Sequence, residues 1–70
     1  MANETLGKLR SETISLLKER EADLDVIEAV ISALQTEEQY RKMIAVLEKS
    51  KHPGREFLIG KTVLIADGDI

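Results

Sequence analysis

The sequence predicts a mainly α fold: a helical hairpin of two helices or three, with a short C-terminal β segment, completed by oligomerisation. Three observations predict it. No glycine or proline stands between Gly7 and Pro53, and good helix formers fill that interval. Apolar residues recur there at helical spacing in three separate stripes. Beyond Pro53-Gly54 the composition turns to Phe57-Leu58-Ile59-Gly60-Lys61-Thr62-Val63-Leu64-Ile65-Ala66, rich in the branched residues that favour strands.

The first helix, expected over residues 3 to 20, carries Leu6, Leu9, Thr13, Leu16 and Leu17 on one face. At Glu21-Ala22-Asp23-Leu24-Asp25 the apolar pattern lapses, and Asp23 or Asp25 is expected to cap a new helix, Asp25 with Glu28 as its capping-box partner. The chain is expected to fold back at residues 21 to 24. A continuous coiled coil is the alternative, because Leu17, Leu24 and Ile31 keep seven-residue spacing, with Ile27 and Leu34 between them.

A second helix is expected over residues 24 to 51 and holds two stripes. Ile27, Val30, Ile31 and Leu34 form one, and Tyr40, Met43, Ile44 and Leu47 form the other. At about 100° per residue the two are rotated by about 140°, so one straight helix cannot present both to one neighbour. Either the helix breaks near Gln35-Thr36, where Thr36-Glu37-Glu38-Gln39 resembles a capping box, or its halves face different partners. Lys49, Lys51 and His52 complement a helix C-terminus, and Pro53-Gly54 stops it. The chain thus divides into a helical region, residues 1–52, and a strand-forming tail, residues 53–70, of one strand or two around Gly60-Lys61. In a strand, both faces of residues 57 to 66 would be apolar and need cover, most simply from another chain.

Composition narrows the function. Seventy residues make one small domain, near the size at which a core alone supplies only a few kcal/mol. With no cysteine and one histidine, neither a disulfide framework nor a zinc finger is available, so the remaining supports are good local helix packing or burial against a second chain, of which the sequence favours the second. A formal charge of −3 opposes nucleic-acid binding, and Tyr40 and Phe57 alone cannot form base-stacking platforms. The longest apolar runs fall far short of the roughly 20 residues that span a bilayer, and Met1-Ala2-Asn3-Glu4 lacks the start of a signal peptide. A cytoplasmic setting is expected.

The motifs that look chemical do not hold up. Gly60-Lys61-Thr62 matches the end of a phosphate-binding loop, but Arg55 stands where its first glycine belongs. Asp67-Gly68-Asp69 resembles the start of a calcium loop without the closing glutamate. His52 is the one side chain that titrates near neutrality, and its place before Pro53 suits a helix end. No catalytic, cofactor-binding or metal-binding residue is assigned, and no cofactor is expected.

Function is therefore expected to be non-enzymatic association: an oligomeric scaffold, adaptor or regulatory binder whose partner is itself and, secondarily, another protein. The surface expected to carry it is Tyr40, Met43, Ile44, Leu47, Phe57, Ile59, Val63 and Ile65. The alternative is a small DNA-binding regulator or antitoxin that uses the basic segment 41–55, with Arg41, Lys42, Lys49, Lys51 and Arg55 against Glu48. Glu37 and Glu38 at the start of that helix weigh against it.

Overall fold

The computed structural model describes residues 2–68, which form four α-helices: α1 (Ala2–Glu19), α2 (Leu24–Ala33), α3 (Glu37–Lys49) and α4 (Arg55–Ala66). The expected β segment is overturned, because the tail is a helix and no strand occurs among the described residues. The long second helix is likewise overturned, since it breaks between Ala33 and Glu37.

Each boundary has a local cause. The helix α1 ends at a left-handed residue, Glu21, with φ 58. The Ala22 amide reaches back to the Leu17 carbonyl and the Glu21 amide to that of Lys18, both at 3.0 Å. This is the Schellman arrangement, here with glutamate where glycine is usual, which is why the sequence shows no glycine at this turn. Arg20, at the same end, donates from Nε to the carbonyls of Leu47 (2.7 Å) and Ser50 (2.9 Å). A cation just beyond α1 thereby satisfies orphan carbonyls at the end of α3. The continuous coiled coil is overturned, because the helix breaks between Glu19 and Leu24 and Leu24 is 74% exposed rather than seamed.

At the start of α3, Thr36 Oγ1 accepts from the Gln39 amide (3.2 Å), and Gln39 Oε1 accepts from the Thr36 amide (3.1 Å). The reciprocal box turns the chain and lets the second and third stripes point in different directions. Thr36→Ala is expected to lower stability by about 0.5–2 kcal/mol, and Thr36→Ser by much less, in chemical denaturation followed by circular dichroism. Equal losses for the two would show that the hydroxyl is not the capping group.

The tail is helical because its interior contacts favour a period of 3.6 over its strand propensity. Leu58, Thr62 and Ile65, at i, i+4 and i+7, are buried at 4% exposure or less. Thr62 is branched and polar, yet its hydroxyl donates to the Leu58 carbonyl at 2.7 Å, so it enters the core satisfied. Thr13 does the same in α1, donating to Leu9 at 2.8 Å.

The core comprises Leu17 of α1; Val26, Ile27 and Val30 of α2, with Leu34 after it; Tyr40, Met43 and Leu47 of α3; and Leu58 and Ile65 of α4. The most extensive helix pairings join α1 to α3 and α2 to α4, with α3 also on α4 and little between α1 and α2. The expected hairpin, with the first two stripes packed on each other, is therefore replaced by an interleaved arrangement. Tyr40 is fully buried, and its hydroxyl donates to the Ile31 carbonyl at 3.2 Å, fixing α3 against α2. No described helix is long and apolar enough to cross a membrane.

Candidate interaction surface

The helix α4 is apolar nearly all round, and the rest of the molecule covers only one side of it. Exposed on the other are Phe57 (40%), Ile59 (38%), Val63 (53%) and Leu64 (38%). At about 100° per residue, Gly60, Val63 and Leu64 point outward, Phe57 leans toward α3, and Ile59 leans toward α2. Two hollows confirm the sides. One, of about 200 Å³, lies between α2 and α4 and is lined by Ala29, Val30, Ala33, Ile59, Thr62 and Val63. The other lies against the end of α3, between Val46, Lys49 and Ser50 and the α4 residues Phe57 and Lys61. Between them runs a shallow apolar depression over Phe57, Gly60, Lys61, Val63 and Leu64.

Charge differs across this surface. On the α3 side stand Lys49 and Lys61, the latter with its ammonium 5.5 Å from the centroid of the Phe57 ring. On the α2 side Asp25 and Glu28 are exposed. There Arg55, at the start of α4, forms hydrogen-bonded ion pairs with Asp25 and with Asp23, the latter at 3.4 Å. The hydrogen bond from Arg55 is the main cause that holds the Asp25 carboxyl below its ordinary pKa, and the same bond raises that of Arg55. This support is present above the ordinary carboxylate pKa and lost as pH falls through the lowered one. The solvent exposure of both groups keeps it small.

Of the residues expected from sequence to form the surface, Tyr40, Met43, Ile44, Leu47 and Ile65 are placed in the interior, covered by the chain's own helices. Phe57, Ile59 and Val63 are brought together on the open face of α4. Leu64 joins them, and so does Gly60, which sequence reasoning treated as a turn. Their signal is the helical spacing of Phe57, Gly60 and Leu64, visible only once the tail is read with a period of 3.6. His52 is exposed. The calcium-like motif includes Asp69, which lies outside the described residues. Among the described residues, no group of three or more His, Cys, Asp or Glu is placed to hold a metal ion.

In the basic segment, Arg41 pairs with Glu37 at 3.7 Å and Lys42 with Glu38 at 3.5 Å, one turn earlier on α3, while Arg55 is held by the aspartates. These cations are interspersed with acids and form no continuous basic stripe. No family model, curated protein or solved structure matches the chain.

Proposed function

We propose that this protein works by association, through the outer face of α4, and that the occupant of that face is a second copy of the chain. It would serve as a small scaffold, adaptor or regulatory binder in the cytoplasm. The observation that carries this is the concentration of exposed large apolar side chains on one helix. Among the described residues, every exposed large hydrophobic residue apart from Leu24 lies on α4. Such a patch on a small domain marks an interaction site. A second copy is favoured because a 70-residue domain with no cysteine and a single histidine has neither a disulfide nor a His-pair metal site to support it, and burial against another copy supplies that support.

Light scattering coupled to size exclusion tests this. The full chain is expected to run at twice its 7.8 kDa at micromolar concentration and to dissociate on dilution. Val63→Asp, at the most exposed position of the patch, should weaken the dimer at least about 100-fold, because a carboxylate would be buried unpaired. Its helical circular dichroism should persist. A wild-type mass of 7.8 kDa across a hundredfold dilution series would overturn the proposal.

A further inference from the structure

We propose that the hollows around α4 form one trough that binds a free aliphatic carboxylate, a fatty acid, with its head group at Lys49 and Lys61 and its chain crossing α4 at Gly60. The site stands whether or not the chain self-associates. The depression over Phe57, Gly60, Lys61, Val63 and Leu64, of about 540 Å³, shares Phe57 and Lys61 with the hollow at the end of α3 and Val63 with the hollow between α2 and α4. Where the trough crosses the helix, Gly60 has no side chain to block it.

Polarity changes from one end of the trough to the other. The α3 end, of about 320 Å³, is lined by Lys49, Ser50 and Lys61 over Val46 and Phe57. On α3 and α4, Arg41 pairs with Glu37, Lys42 with Glu38 and Arg55 with Asp23 and Asp25, whereas Lys49 and Lys61 have no carboxylate partner among the described residues. The two cations left without an acid are thus the two that line this hollow, and no acidic residue lines it. The Lys61 ammonium lies 5.5 Å from the centroid of the Phe57 ring, and both residues also border the central depression. At the α2 end the lining is apolar, because Thr62, its one polar residue, commits its hydroxyl to the Leu58 carbonyl. Cations at one end and nothing polar at the other complement a carboxylate head on a hydrocarbon chain. A bilayer surface is a poorer match, since Glu56 and Asp67 stand near the outward line of α4 at its two ends and would meet anionic head groups. A bound chain covers Phe57, Val63 and Leu64, so it competes with a second copy for that face.

Isothermal titration of the full chain with dodecanoate, kept below its micelle concentration, tests the site. Dodecanoate should bind saturably, and dodecanol and dodecyltrimethylammonium, which have the same chain with a neutral or a cationic head, about tenfold or more weaker. Lys49→Gln/Lys61→Gln should weaken dodecanoate binding by a similar factor and leave dodecanol binding and the melting temperature unchanged. Gly60→Leu decides the path of the chain. A leucine across the trough should weaken binding about tenfold or more, whereas on a plain apolar surface the added side chain would strengthen it. Equal binding of the three probes, stronger binding by Gly60→Leu, or binding to phosphatidylglycerol vesicles with none to free dodecanoate would overturn the proposal. A monomeric wild type that binds dodecanoate would overturn self-association alone.

Discussion

Leu58→Asp is expected to unfold the protein, while Ile59→Asp, one residue along, is expected to leave it folded. Leu58 is 1% exposed and faces the core from α4, whereas Ile59, about 100° round the helix, is 38% exposed. An unpaired carboxylate at a fully buried site costs several kcal/mol, more than a domain of this size can lose from a stability near the lower end of the usual 5–15 kcal/mol. The same pair of changes separates helix from strand. A strand over residues 57 to 66 that is covered on both faces would lose its cover on either substitution. A helix of period 3.6 makes positions 58, 62 and 65 intolerant and 59, 60 and 63 tolerant for folding. Thermal melts of the two variants in dilute solution decide the matter, and comparable damage from both would contradict the helix.

The second large effect is expected at Tyr40, the largest fully buried side chain. Tyr40→Ala empties a site enclosed by the central helices and should lower stability by about 3–5 kcal/mol, as truncation of buried aromatic residues does. Tyr40→Phe keeps the ring and removes only the hydrogen bond to the Ile31 carbonyl, for about 0.5–1.5 kcal/mol. Chemical denaturation of the pair therefore separates packing from hydrogen bonding at one position. If the alanine variant lost no more than the phenylalanine one, the ring would not be part of the core. Dimerisation should be affected only through loss of fold, because Tyr40 belongs to the interior.

Tyr40 also shows what the sequence conveys and what it does not. Its stripe, Tyr40, Met43, Ile44 and Leu47, is legible as an apolar helix face, and the Thr36 box that starts it is legible as well, since both depend on neighbours three or four residues away. What covers that face is not written locally. Sequence reasoning gave it to another chain, but α1 and α4 cover it, a matter of pairings across tens of residues. The tail misled for a different reason. Ile59, Thr62, Val63 and Ile65 carry strand propensity, and the alternating pattern of a strand fits a helix apolar on nearly every side equally well. Leu58, Thr62 and Ile65 hold the deciding spacing, but apolar neighbours at 59, 63 and 64 obscure it. Those neighbours are the open surface, so the part hardest to read is the part offered for association. The turn between α1 and α2 was legible from the lapse of the apolar pattern at residues 21 to 25, even though glutamate rather than glycine takes its left-handed position.

The interleaving of the helices bears on how the chain comes to be folded. Because α1 relies chiefly on α3 and α2 on α4, neither half of the sequence contains a finished pair of its principal neighbours. A chain emerging from the ribosome can close α1 onto α3, with Arg20 reaching the Leu47 carbonyl, only after residue 47 is clear. It leaves the apolar side of α2 open until Leu58 and Ile65 follow. Completion of the core is thereby deferred to α4, because its pairing with α2 joins segments about thirty residues apart. The helix that finishes the core is also the one that carries the outer apolar face, so that face takes its shape only when the interior is complete.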